Sequence, residues 1–277
     1  MQATSSSLRL ESALGTLPSI PRVIALVLSE LNAEEPDLRK IGLLLKEDPV
    51  IAVRMLAIAN SARFNLSQGV STVAEALPLL GLDELREMLY AAAVASAFRQ
   101  VGGIHMEQYW RYSLNTAKLA RALASSTPMS AAAYTAGLLH AIGELLLHRN
   151  LPQAMAELDA AVPVFDLERA AAQRKLLGYS YAEVGASFVR AWGLPGHLAD
   201  ALAQHADPAA LGAGDPLAGC VYLAAWRARM DERNHGLEAI VAGFPESVVE
   251  ALRIDARALL DDQSIQWTSR QEIAGFL

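Results

Sequence analysis

The sequence predicts an all-α protein, and three observations carry that prediction. Apolar residues recur at helical spacing along nearly every segment, and no segment sustains strand alternation. Alanine and leucine dominate the periodic stretches, as suits helix interiors. Residues that start and stop helices punctuate the chain throughout.

Each element follows from this punctuation. Pro21 precedes a helix over Arg22–Leu31, and Pro36 closes the gap to the next, which Asp37 caps and which runs to about Lys46. Asp48 and Pro49 form a start signal, N-cap and first helical residue, for a helix to Ala59. Asn60-Ser61 falls at that helix end, where an asparagine amide can tie down a neighbouring loop. Thr72 and Glu75 fit a capping box, Gly81 ends the short helix they open, and Asp83 starts a longer one through Phe98. Val101-Gly102-Gly103 is the strongest break in the first half.

Beyond it the pattern predicts helices over Met106–Ser125, Ser130–Arg149, Leu151–Ala161 and Val164–Leu177. A second capping box, Ser180 with Glu183, opens a helix to Trp192 that Gly193 and Pro195 stop. Leu198–His205 forms another, Gly212–Pro216 is a turn, and a helix then runs to Met230, with two or three more in the tail. The stretch Gly137–His148 reads as one apolar helix with His140 in its middle.

At 277 residues the chain can form one large domain or two smaller ones, and 53% hydrophobic residues supply ample core. A net charge of -7 argues against a dedicated nucleic-acid surface, which needs clustered Lys and Arg. The N-terminus has no apolar signal region, and the longest apolar run is about half the ~18 residues that span a bilayer. The single Cys220 excludes an internal disulfide and a thiolate cluster, and its apolar setting predicts a buried, inert thiol. These features predict a cytoplasmic protein with no membrane partner. No Walker loop, dinucleotide fingerprint, nucleophile elbow or His-Glu-x-x-His motif is present.

Several motifs in order resemble the HDOD family, a branch of the HD phosphohydrolase superfamily found in bacterial signalling proteins. They are LPSIPRV at 17–23, EDPVIAVRMLAIANSARF at 47–64, VSTVAEALPLLGLDELR at 70–86, WRYSLNTAKLA at 110–120, AGLLHAIGELLL at 136–147, LGYSYAEVGASFVRAWGLP at 177–195 and QHADP at 204–208. The resemblance covers about residues 17–229. It implies a multi-helix HD-like domain at 17–230, with an N-terminal helical lobe at about 17–100 and an HD-like lobe at about 104–230. Residues 1–16 are expected to be a flexible start, and 231–277 a helical extension packed on the domain. Asp48, Pro49, Asn60 and Ser61 are family-motif positions with structural duty.

The resemblance also allows the superfamily's metal ligands to be followed position by position. The first histidine falls at Tyr112, the His-Asp pair at His140 and Ala141, a further histidine at Tyr181, the later histidine cluster at His205, and the closing aspartate at Ala225. Imidazole and carboxylate are the donors that such chemistry uses, whereas alanine offers none and tyrosine is rarely used. No metal and no cofactor are therefore expected, and no catalytic residue is assigned. The six positions are read as a vestigial pocket in which His140 is a hydrogen-bonded core histidine. His140, Glu144 and His148 are spaced four apart, but eight residues of helix turn too far for one ion to take all three.

The expectation is a non-catalytic regulatory protein that binds a signalling partner through its helical surface. Two alternatives remain open here: residual metal-dependent phosphohydrolase activity, and binding of a nucleotide-like small molecule in the vestigial pocket.

Overall fold

The structure is a computed structural model that describes residues 15, 18, 20–60, 69–125, 127–207, 211, 215–261, 265–269 and 272–273. Ser61 and the serines at 5–7 lie outside the described residues. Fifteen α-helices and no strand occur among them. The chain divides into two compact units, Pro18–Arg99 and Gln100–Ile273.

The smaller unit holds α1 (Arg22–Leu31), α2 (Leu38–Lys46), α3 (Pro49–Ala59) and α4 (Val73–Ala97). Asp37 accepts from the amides of Arg39 and Lys40 and so caps α2. Asp48 accepts from Ile51 N at 3.2 Å at the start of α3. The Thr72–Glu75 capping box opens α4 with both reciprocal bonds made. Gly81, at φ 75°, interrupts α4, so two helical segments meet there at the predicted stop. Asn60 does more than end α3. Its Nδ2 donates to Val70 O at 2.8 Å and its Oδ1 accepts from Val70 N at 2.7 Å, clasping the chain ten residues on.

The larger unit holds α5 (Met106–Leu123), α6 (Ser130–Leu139), α7 (Ile142–Asn150), α8 (Pro152–Ala161), α9 (Arg169–Leu177), α10 (Tyr181–Ala191), α11 (Gly196–Gln204), α12 (Pro216–Glu232), α13 (Leu237–Ala242), α14 (Glu246–Leu252) and α15 (Arg257–Leu260). Helix α5 packs against α6 and α12, α10 packs against α7 and α11, and α12 also carries α14 and α15. The C-terminal stretch is tied to α5: Asn115 Oδ1 accepts from Thr268 N at 2.8 Å, and Lys118 meets Glu272 at 2.6 Å.

Two expectations need correction. The helix expected from Val164 starts only at Arg169, because residues 163–168 form turns in which Asp166 N bonds back to Pro163 O. The single helix expected over Gly137–His148 is broken. Helix α6 ends at Leu139, His140 and Ala141 form a turn, and α7 begins at Ile142. Close helix packing accompanies this step. A Cβ on Gly137 would stand 2.8 Å from the Ala117 backbone of α5, and one on Gly143 would stand 2.0 Å from the Tyr181 carbonyl oxygen of α10. At each glycine its helix comes against a neighbour's backbone, and the two helices are pressed against different neighbours. Residues Ser130–Asn150 have the length and apolarity of a membrane span, yet 78% of that window is buried within the protein, as for core helices.

Candidate functional site

The turn between α6 and α7 places His140 at the centre of a buried ring cluster in the larger unit. Tyr112 of α5 packs on it edge-to-face with centroids 4.7 Å apart. His205, at the end of α11, lies 5.5 Å away, and Tyr181, the first residue of α10, lies 5.6 Å from His205. All four are at most 2% exposed. Four of the six pocket positions named from the sequence are thus brought together. Ala141 and Ala225 are buried as well, each ending in a methyl group.

The hydrogen bonds assign protons. His140 Nδ1 lies 2.6 Å from Gly137 O, and His205 Nδ1 lies 2.7 Å from Leu202 O. A carbonyl oxygen only accepts, so each Nδ1 donates and each Nε2 carries the lone pair. Burial holds both rings neutral: His205 is pushed down to about 4 and His140 well below the usual imidazole range.

The residue that joins the cluster was not foreseen. Arg229 stands one turn beyond Ala225 on α12, on the same face of the helix. It is 8% exposed, and its guanidinium sits 5.6 Å from the Tyr112 ring and 5.5 Å from the Tyr181 ring. Arg229 Nη2 donates to the Tyr181 hydroxyl at 2.7 Å, which in turn lies 3.4 Å from His205 Nε2. Guanidinium, phenol, imidazole and the Leu202 carbonyl form one chain of donors and acceptors. Burial works against the Arg229 charge, but Tyr112, Tyr181 and Glu144 outweigh it and hold its pKa above the ordinary value. Burial likewise pushes the Tyr112 phenol up, so it stays protonated. No local signal in the sequence marks Arg229 as buried, since a basic residue in the last turn of a helix is ordinarily exposed.

A second polar network braces the cluster from behind. Glu144, buried on α7, accepts from Arg169 Nε at 3.1 Å, Arg169 Nη2 at 3.2 Å and Gln173 Nε2 at 2.9 Å. Gln173 Oε1 accepts from Tyr181 N at 2.7 Å, linking this network to the start of α10. Arg169 also reaches Asp159 at 2.8 Å, and His148 Nε2 lies 3.0 Å from the other Asp159 oxygen. Glu144 and His148 therefore belong to this network and His140 to the ring cluster, so the four-residue spacing does not gather them. Elsewhere, His105 caps α5, accepting from Gln108 N at 3.3 Å, and burial pushes the Cys220 thiol up to about 11.

The superfamily's hydrolytic chemistry needs metal ions held by anionic and imidazole donors. The ring cluster offers two imidazole lone pairs, two phenol groups and a guanidinium, whose charge opposes that of an ion. These residues do not fit a hydrolytic metal centre. Among the described residues, no group of three or more His, Cys, Asp or Glu side chains is arranged to hold a metal.

The HDOD domain family matches residues 17–208. An uncharacterised protein of Treponema pallidum is 23% identical over 207 residues, 74% of this chain and 40% of its own length. The uncharacterised protein YuxH of Bacillus subtilis is 28% identical over 134 residues, 48% of this chain and 32% of its own. The chain thus spans less than half the length of these curated relatives. Among solved structures, a Shewanella amazonensis protein with a provisional phosphohydrolase name is 27% identical, with a TM-score of 0.77 and coverage of 97% of this chain and 96% of that one. An HDOD domain protein of unknown function from Geobacter sulfurreducens, 22% identical, has a TM-score of 0.68 and coverage of 92% and 90%.

Proposed function

The chain belongs to the HDOD family, and we propose that it serves there as a non-catalytic regulatory domain of signal transduction in the cytoplasm. Its output would be protein–protein contact. The observation that carries this reading is Arg229. A buried guanidinium between Tyr112 and Tyr181 puts a fixed positive charge beside the two histidines that could still ligate. Tyr112, Ala141, Tyr181 and Ala225 stand where the family resemblance puts further donors, and none is a carboxylate or an imidazole. A guanidinium keeps its charge at any ordinary pH, and that fixed charge opposes the binding of a metal ion beside it.

The surface of the smaller unit supports the contact reading. Helix α3 is apolar apart from Arg54, with Ile51, Met55 and Ala59 buried but Val53 65% exposed. Leu43 of the neighbouring α2 is 66% exposed. Exposed apolar side chains on adjacent helices suit a protein partner.

The test is metal analysis of protein purified without chelators, followed by assays on nucleotides and cyclic dinucleotides. The expected result is metal-free, inactive protein. Stoichiometric Mn, Fe or Ni together with hydrolysis that His140→Ala abolishes would sink the proposal.

A further inference from the structure

A cavity of about 330 Å³ opens in the larger unit, where the end of α5, the start of α12 and the segment joining α14 to α15 converge. It lies away from the ring cluster. Leu123 follows Tyr112 by eleven residues of α5, and Cys220 precedes Arg229 by nine of α12. At 1.5 Å per residue, the two places stand roughly 13–17 Å apart along these helices.

The space is not a product of loose docking. Beside it α14 meets α12 directly: a Cβ on Gly219 would stand 2.6 Å from Leu252 Cδ1. The chain then closes a tight turn, in which Arg253 N donates to Glu250 O at 3.0 Å and Ile254 N to Val249 O at 3.1 Å. Arg253 stands at φ 55°, a left-handed conformation that glycine adopts more readily. The turn brings Ile254 to the cavity wall.

The walls select the occupant. Leu123, Met129, Leu252, Ile254 and Ala258 present carbon. The Cys220 side chain presents a thiol that burial keeps protonated, its pKa pushed up to about 11. The Thr127 hydroxyl is spent within the chain, donating to Ala124 O at 2.8 Å and accepting from Met129 N at 3.3 Å. Among the described residues, none of the buried polar atoms without a partner belongs to the lining. The charged lining residues, Arg253 and Asp255, are exposed and of opposite sign, so they give the cavity no net charge. A charged occupant would give up water for no counter-charge inside. An apolar cavity of about 150 Å³ already takes benzene.

We infer that this cavity binds a small, neutral, apolar molecule of the size of a fused two-ring aromatic, seated against Met129, Leu252 and Cys220. The inference goes beyond the proposed function and is independent of whether the ring cluster is catalytic.

The test uses the full chain, whose one cysteine reports on the cavity. Alkylation of Cys220 by a small maleimide is followed by mass spectrometry with and without naphthalene. Naphthalene should slow alkylation in proportion to occupancy, by at least about tenfold at saturation, and raise the midpoint of thermal unfolding. The anion 2-naphthoate and the cation 2-naphthylmethylammonium keep the shape and add a charge, and each should bind at least about tenfold more weakly. Cys220→Met and Ala258→Leu fill the space from α12 and from α15, and each should abolish the rise in midpoint. Ala258 is only partly buried, so Ala258→Leu decides the matter if Cys220→Met does not fold. Absence of protection overturns the inference whatever the midpoint does, and so does equal binding of either charged analogue. A rise in midpoint that persists in Ala258→Leu also overturns it, because the naphthalene is then bound elsewhere.

Discussion

The Tyr181 hydroxyl accepts a 2.7 Å hydrogen bond from Arg229 Nη2, joining the first residue of α10 to the last turns of α12. The same hydroxyl lies 3.4 Å from His205 Nε2, so one oxygen serves a buried cation and a buried base. Tyr181→Phe removes an acceptor from a charged donor that is 8% exposed. The expected loss is about 1.5–3 kcal/mol, the usual worth of a bond to a charged group. Urea unfolding would show it as a lower midpoint with an unchanged slope. An unchanged midpoint would mean that Arg229 finds another acceptor.

Gly143 makes a sharper prediction, because its neighbour is backbone and cannot rotate away. An added Cβ would lie 2.0 Å from Tyr181 O and 2.9 Å from Gly185 N. Gly143→Ala must therefore push α7 off α10 and disturb the start of α10 that positions Tyr181. The expected cost exceeds about 4 kcal/mol, in the range of severe core disruption. Thermal unfolding measured beside Gly196→Ala, whose Cβ would meet nothing within 4 Å, separates this contact from a general intolerance of glycine replacement.

Glu144 and Arg169 are 2% and 0% exposed and bonded through two nitrogens. Arg169→Met strands the carboxylate, and the loss should be about 3–5 kcal/mol. The double variant Glu144→Leu/Arg169→Met removes both charges and should recover most of that loss, since desolvation of the pair offsets much of its attraction. A double variant as unstable as the single one would show that the network's other bonds, Gln173 to Glu144 and Arg169 Nη1 to Val162 O at 2.6 Å, rather than its charges, carry the stability.

The helices were legible because their signals are local. Asp37, Asp48, Thr72 with Glu75, and Ser180 with Glu183 act within three residues of themselves, and each caps the helix expected of it. The clustering of Tyr112, His140, Tyr181 and His205 was legible only through the family's motif order, not through periodicity. Two things were not legible. The break at His140-Ala141 goes with the approach of α6 to α5 and of α7 to α10, which involves residues 20 to 40 positions away. Arg229 reads in sequence as a basic residue in the last turn of a helix, the usual place for an exposed cation. Only packing turns it inward, and only then does its charge bear on the metal question.

Acid should destabilise the larger unit through its ring cluster. In the unfolded chain both histidines titrate near the ordinary value of about 6.5. In the folded protein burial pushes His205 down to about 4 and His140 lower than the usual range. Between those values the unfolded chain binds protons that the folded chain refuses, so stability is full above about pH 6.5 and falls as pH drops toward 4. Each ring contributes a slope of up to about 1.4 kcal/mol per pH unit. Unfolding free energies from pH 8 to 4.5 should show this decline, and His205→Asn should flatten about half of it. A flat wild-type profile below pH 6 would mean that the folded state admits the protons.

Placing an aspartate at position 141 is expected to leave the protein inactive. Ala141 is 3% exposed and lies in the turn that carries His140. Ala141→Asp supplies one carboxylate to a site otherwise lined by the Tyr112 and Tyr181 rings, beside which Arg229 still adds its charge. The new side chain must be buried at a position packed for a methyl group, at a cost of several kcal/mol unless it pairs. The expected variant is less stable than the parent, binds no Mn or Fe, and hydrolyses neither nucleotides nor cyclic dinucleotides. If it becomes more stable without gaining metal, the carboxylate has found Arg229. That outcome is separable from the first by adding Arg229→Met, which should then erase the gain. A metal-loaded, active Ala141→Asp protein would show that one carboxylate was all the site lacked.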